Sequence, residues 1–157
     1  MKDLQRAAAV ERWGDLVWRL ALTGAKSQHD AEDIFQDVFE RYFRHEDKLQ
    51  TDEHRKAWLI RCTINRCRSL FASPWRKRKV SLDQIQELGV PEDSREVYLA
   101  VRQLPAKYAL VIHLHYYEGY TVAEIAAQLG CAEGTVKSQL SRARAMLRQS
   151  LSEEVTL

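Results

Sequence analysis

Residues Tyr120–Leu147, YTVAEIAAQLGCAEGTVKSQLSRARAML, constrain the fold more than any other stretch of the chain. Val122, Ile125, Ala126 and Leu129 repeat at i, i+3, i+4 and i+7, the apolar face of a helix. Thr121 followed three residues later by Glu124 forms a capping-box signature at its start. Gly130 stands where a helix ends in a left-handed turn, which glycine enters without a Cβ clash. Val136, Leu140, Ala143 and Leu147 then form a second apolar stripe. This leaves Thr135, Lys137, Ser138, Gln139, Ser141, Arg142 and Arg144 facing out or flanking it. Two short helices with small residues at their crossing make a helix-turn-helix, whose second helix presents short polar and basic groups to a DNA major groove. An ordinary helical hairpin with a solvated basic face would share the apolar spacing. The cap, the turn glycine and the outward polar set together favour the DNA reader.

The rest of the chain is short enough, at 157 residues, for one ordinary domain or two small ones. Its net charge of +2 conceals strong segregation. Between Asp30 and Glu53 acids outnumber bases, whereas His54–Leu82 contains no acid and carries Arg55, Lys56, Arg61, Arg66, Arg68, Arg76, Lys77, Arg78 and Lys79. A basic block is either a disordered tail or a polyanion-binding face. Trp58, Leu59, Ile60, Ile64, Leu70, Phe71 and Trp75 are interleaved with the bases, which favours a folded nucleic-acid surface. Cys62, Cys67 and Cys131 are odd in number and lack CxxC spacing, so reduced thiols are expected rather than a disulfide framework or zinc site. Charges throughout the first twenty residues leave no signal-peptide core, and no apolar run has the length of a membrane span. A soluble, cytoplasmic protein without membrane insertion is expected.

Helical periodicity extends along the chain. Helices are expected over about Asp3–Leu22, Ala31–Phe43, Glu53–Phe71, Ser94–Gln103 and Ala106–Glu118. The second has an apolar set, Ile34, Phe35, Val38, Phe39 and Tyr42, opposite an acidic face of Asp33, Gln36, Asp37 and Glu40. In the third, Trp58, Leu59, Cys62 and Cys67 are expected to point inward, and Arg61, Asn65, Arg66 and Arg68 to line an exposed side. Val97, Val101 and Leu104 share one face of the fourth. Gly89 and Pro91 interrupt an acidic stretch that reads as a linker. The expected fold is all-α: two small helical domains, 1–79 and 94–157, joined by a flexible linker over 80–93, with the helix-turn-helix in the second. His113 and His115 are spaced i, i+2, have no acid or thiol partner nearby in sequence, and read as core or surface histidines, not metal ligands. No nucleophile motif, phosphate loop or HExxH is present, so neither catalysis nor a cofactor is expected.

The order of acidic helix, basic-aromatic helix, linker and helix-turn-helix resembles the extracytoplasmic-function (ECF) group of bacterial sigma factors. Three segments carry the likeness: DAEDIFQDVFERYF (Asp30–Phe43), AWLIRCTINRC (Ala57–Cys67) and LPAKYALVIHLHYYEGYTVAEIAAQLGCAEGTVKSQLSRAR (Leu104–Arg144). They look like the family's clamp-docking helix, its promoter-melting helix and its region-four domain. The resemblance implies that Asp33, Gln36, Asp37 and Glu40 meet core RNA polymerase. It implies that Trp58, Arg61, Asn65, Arg66 and Arg68 engage the minus-ten element as its strands open. It also implies that Thr135, Lys137, Ser138, Gln139, Ser141 and Arg142 hold duplex promoter DNA at the minus-thirty-five element. An anti-sigma factor is the implied regulatory partner. Two positions depart from the family pattern: Gln139 stands where Arg is frequent, and Ser69 where Asp is frequent.

The resulting expectation is a non-catalytic transcription initiation factor that binds polymerase, directs it to a promoter subset and assists strand opening. A polymerase-independent helix-turn-helix regulator is the alternative, and it leaves the Ala57–Lys79 block without a role. A nucleic-acid-processing enzyme is a weaker rival, because Asp33 and Asp37 lack a second ligand cluster.

Overall fold

The computed structural model describes residues 2–25, 27–71 and 94–155, and all regular structure among them is helical. Met1–Trp75 and Arg76–Leu157 form two compact units. The expected linker over 80–93 and the basic segment Trp75–Lys79 lie outside the described residues.

The first unit contains α1 (Lys2–Gly24), α2 (Gln28–His45), a short 3-10 turn (Glu46–Lys48) and α3 (Asp52–Phe71). Local chemistry sets two of the helix starts. The Ser27 hydroxyl accepts the Asp30 backbone N–H at 3.1 Å, and the Thr51 hydroxyl accepts that of His54 at 3.1 Å. The three helices bury a common set: Trp13, Leu16, Val17 and Leu20 from α1; Ile34, Val38, Phe39 and Tyr42 from α2; Leu59, Ile60, Ile64 and Cys67 from α3. Each large aliphatic or aromatic side chain buried there contributes about 1.5–3 kcal/mol relative to exposure. Thr63 is also buried, and its hydroxyl donates to the Leu59 carbonyl at 2.7 Å, which satisfies it within the helix. Arg12 and Asp52 form an ion pair at 2.9 Å between α1 and the start of α3. Leu59 and Cys67 point inward as expected, but Trp58 and Cys62 are only half-buried. The buried face of α3 is centred on Leu59, Ile60, Thr63, Ile64 and Cys67 instead, which rotates Trp58 to the shoulder of the helix.

The second unit contains α4 (Arg95–Gln103), α5 (Ala106–Ile112), a π-helical turn (His113–Tyr117), α6 (Val122–Leu129) and α7 (Glu133–Val155). Thr121 and Glu124 form a reciprocal capping box: the Thr121 hydroxyl accepts the Glu124 N–H at 3.1 Å, and the Glu124 carboxylate accepts the Thr121 N–H at 3.0 Å. Gly130 closes α6 at φ 67°, ψ 39°, in the left-handed region. Ile125 and Ala126 of α6 and Val136, Leu140 and Ala143 of α7 are buried with much of α5. In α4 the face differs from the expected one at a single position. Val101 and Leu104 are buried as expected, but Val97 is 42% exposed, and Tyr98 and Arg102 are buried beside them. The larger Tyr98 ring occupies the core one position later, at helical spacing from Val101 and Arg102, and Arg102 brings a long apolar stem to the same side.

The π-helical turn also revises the histidines. Its i to i+5 geometry joins the Glu118 N–H to the His113 carbonyl at 3.0 Å, and it sets the Glu118 carboxylate 2.7 Å from His113 Nε2. The acid partner therefore comes from one π turn along the chain, a relation that α-helical spacing does not reveal. His113 is buried and lies stacked on Tyr117 at 5.6 Å between ring centres. His115 Nδ1 lies 2.8 Å from the Tyr120 carbonyl oxygen.

Candidate nucleic-acid and protein interfaces

The amphipathic pattern of α2 turns Ile34, Val38, Phe39 and Tyr42 into the first unit and leaves Asp33, Gln36 and Glu40 exposed. Asp37 differs, being half-buried and engaged by two cations. Its Oδ2 lies 3.1 Å from Arg41 Nε, one helical turn on, and it also pairs with Arg66 Nε of α3. The Arg66 contact is ionic and is not aligned as a hydrogen bond. Cys62 lies close to this cluster. Burial pushes its thiol pKa up, Arg41 and Arg66 oppose that shift, and Asp37 adds to it. The acidic and basic helices thus meet through Asp37 and Arg66, two residues that the sequence reading assigned to different partners.

Along α3, Arg61, Asn65 and Arg68 are exposed at i, i+4 and i+7, and Trp58 lies one turn before Arg61. Trp58, half-buried, packs on Tyr42 at 5.9 Å and on His45 at 5.5 Å between ring centres. This stripe combines an aromatic platform, an amide and guanidinium groups, the side-chain types that hold unstacked bases and a backbone. A groove of about 340 Å³ between α1 and α2 borders the acidic face at Gln36. Val10, Gly14, Trp18 and Phe35 line it, and a Cβ at Gly14 would approach Val10 Cγ1 to 3.4 Å. Sequence reasoning missed this groove because it depends on how two helices pack.

In the second unit, Thr135, Lys137, Ser138, Ser141 and Arg142 are exposed along the first turns of α7. Gln139 is half-buried, and its carboxamide oxygen has no hydrogen-bond partner. It lines a polar cleft of about 340 Å³ with Lys107, Tyr108, Gly134, Thr135, Ser138 and Arg142. Tyr108 is buried and lines this cleft. Hydrogen bonding from Arg142, with help from the Lys107 ammonium, holds the Tyr108 phenol below its ordinary pKa despite the opposing effect of burial. Farther along α7, Arg144 donates to the Tyr116 hydroxyl at 2.6 Å. Lys107, Tyr108 and Tyr116 gave no signal in sequence, since each reads as an ordinary helical position until α5 and the π turn pack against α7.

Among the described residues, no group of three or more His, Cys, Asp or Glu side chains is placed to hold a metal ion. Among them, too, no helix is long and apolar enough to cross a membrane.

Comparison with known proteins matches residues 9–77 to the sigma-70 region 2 family and residues 94–147 to the sigma-70 region 4 family. The ECF RNA polymerase sigma factor SigL of Mycobacterium tuberculosis is 32% identical over 148 residues, covering 88% of this chain and 84% of the relative. The ECF RNA polymerase sigma factor SigW of Bacillus subtilis is 30% identical over 166 residues, covering 94% and 89%. The fold is similar to that of the sigma factor RpoE of Bartonella quintana, solved with the anti-sigma factor NepR, at TM-score 0.73 and 23% identity over 97% of this chain and 98% of that one. It is also similar to that of CnrH, solved with the cytosolic domain of CnrY, at TM-score 0.67 and 26% identity over 94% and 88%. Both halves of the chain, and the order in which they occur, place it in the ECF family of RNA polymerase sigma factors.

Proposed function

We propose that this sigma factor docks on core RNA polymerase through Asp33, Gln36, Asp37 and Glu40, carries the polymerase to a promoter subset, and helps to open the DNA there. The observation that carries this reading is the arrangement of the first unit. Its acidic α2 face stands beside the stripe of half-buried Trp58 and exposed Arg61, Asn65 and Arg68, with Asp37 and Arg66 in contact between them. A polymerase-independent reader of duplex DNA needs neither surface. Unstacking costs a few kcal/mol per base step, so binding to polymerase must help to supply it. The aromatic face of Trp58 and the Asn65 amide then receive an unpaired base, and Arg61, Arg66 and Arg68 neutralise the backbone. Thr135, Lys137, Ser138, Gln139, Ser141 and Arg142 hold duplex at the minus-thirty-five element.

The domain assignment follows: residues 1–79 bind polymerase and the opening strand, 80–93 link, and 94–157 anchor on duplex. The protein acts in the cytoplasm without catalysing a reaction of its own. An anti-sigma factor is its regulatory partner, as NepR is of RpoE and as CnrY accompanies CnrH in their solved complexes.

The test is run-off transcription reconstituted with core polymerase on a promoter library. Promoter-specific transcripts above core alone are expected. No initiation above core on any template would overturn the proposal. Promoter retention by the isolated protein that core polymerase leaves unchanged would favour the polymerase-independent regulator.

A further inference from the structure

Arg66 lies in a run, His54–Leu82, that contains no acid, so a counter-charge for it must come from another helix. That charge is Asp37 of α2, a residue of the face proposed to meet polymerase. Arg61 and Arg68 are exposed along α3, whereas Arg66 is half-buried and turned to the α2 side, where this contact holds it. Asp37 Oδ2 and Arg66 Nε are both closed to water, yet neither makes an aligned hydrogen bond. The contact is therefore held by charge, and each atom keeps a hydrogen-bonding site that a better-aligned partner can fill. Arg41, one turn along α2, lies 3.1 Å from the same carboxylate oxygen, so Asp37 stays compensated when Arg66 leaves it. The remaining exposure of both side chains screens the pair, which makes its separation cheap. While the pair stands, a phosphodiester approaching Arg66 meets the Asp37 charge as well, and the two nearly cancel.

We propose that Asp37 masks Arg66 in the free chain, and that a cationic surface docking on the α2 face draws Asp37 away and releases Arg66 to the opening strand. The proposal rests on the assignment of α2 to polymerase and of α3 to the strand. It adds that one carboxylate serves both surfaces in turn, as counter-ion of Arg66 before docking and as ligand of the partner's cation after it. The two states differ in named contacts, which is what coupling between two sites requires. The coupling is reciprocal: a strand that holds Arg66 leaves Asp37 to the partner and tightens docking by the same factor. The free chain thus grips single strands weakly, and the α3 cations act together only in the complex.

The experiment uses the full chain and a labelled single-stranded oligonucleotide of random sequence, with anisotropy read across a salt series, without and with core polymerase. Without polymerase, Asp37→Asn should tighten strand binding by about two- to fivefold, the range for releasing one screened ion pair. It should also steepen the salt slope by about 0.7, the value for one added contact to a single strand. Asp37→Ser should reproduce both effects and Asp37→Glu neither, which separates loss of the charge from disturbance of the helix. Glu32→Gln removes one exposed charge from the same helix and should leave the slope unchanged. In an Arg66→Ala background, Asp37→Asn should do no more than Glu32→Gln. Equal effects of Asp37→Asn and Glu32→Gln in the wild-type chain, or a gain that survives Arg66→Ala, would overturn the masking. With saturating core polymerase, Arg66→Ala should weaken strand binding above core alone by about tenfold, the effect of losing one charged hydrogen bond, and by less than about twofold in the free chain. An equal loss in both settings would overturn the exchange on docking. Failure of the underlying assignments reads differently. Strand binding indifferent to Arg61→Ala and Asn65→Ala would remove the strand from α3. Core binding indifferent to Asp33→Ala and Glu40→Ala would remove polymerase from α2.

Discussion

Asp37 meets Arg41 on its own helix and Arg66 on α3, so a carboxylate on the proposed polymerase face holds a guanidinium of the proposed DNA face. Both members of the Asp37–Arg66 pair are partly open to water, with side chains 28% and 34% exposed, so solvent screening keeps its contribution modest. A double-mutant cycle with Asp37→Asn and Arg66→Ala, read by chemical denaturation of the full chain, is expected to give a coupling of roughly 0.5–1 kcal/mol. Additive effects would mean that the contact contributes nothing to stability. Asp37→Asn is also expected to weaken binding to core polymerase, and a pull-down titration that leaves affinity unchanged would remove Asp37 from that interface. The exposure of Arg61, Asn65 and Arg68 was legible in sequence, because helical spacing alone sets it. The pairing of Asp37 with Arg66 was not, because it requires knowing which turns of α2 and α3 lie side by side.

The helix-turn-helix is the element whose local signals were most complete. Thr121, Glu124 and Gly130 each do what their spacing implies, because capping and left-handed closure involve atoms within one turn. Thr121→Ala should cost about 1 kcal/mol by leaving the Glu124 N–H without its acceptor. Gly130→Ala meets no atom within 4 Å but must adopt φ 67°, so a cost of about 1–2 kcal/mol is expected from backbone strain alone. Both should appear as a melting temperature lowered by several degrees, and unchanged melting of either variant would refute the corresponding account. On α7, Lys137→Ala should shrink the salt slope of duplex binding by about 0.9 if its ammonium meets a phosphate. The same slope with the same promoter preference would put a different face of α7 on DNA. The sequence misread one position of α4 and the π turn. In α4, two adjacent large residues, Val97 and Tyr98, competed for the core, and size and packing chose Tyr98. In the π turn, one extra residue per turn broke the 3.6-residue period, so the reading of His113 missed Glu118.

For the molecule as a whole, two phenols weaken stability in alkali, the buried Tyr42 in the first unit and Tyr117, 39% exposed, in the second. Burial raises the pKa of Tyr42 in the first unit and of Tyr117 in the second. Above about pH 10, where an unfolded tyrosine ionises, the native state keeps protons that the unfolded state has lost. Stability contributed by these groups is therefore complete below that pH and falls as pH rises through the folded values. Tyr108 has the opposite sign, because Arg142 and Lys107 favour its phenolate in the folded chain. Tyr42→Phe is expected to flatten the alkaline decline of the first unit, measured as melting temperature between neutral pH and pH about 11. An unaltered decline would show that other groups control it. The sequence by itself determined the all-helical class, the caps, the amphipathic faces and the order of acidic helix, basic helix and duplex reader, since all of these depend on neighbours within a turn or two. The tertiary structure alone decided that Asp37 holds Arg66, that Trp58 rests on the shoulder of α3 against Tyr42 and His45, and that Gln139 shares a cleft with Lys107 and Tyr108. Such contacts join residues on different helices, and close packing, not periodicity, selects which side chains meet.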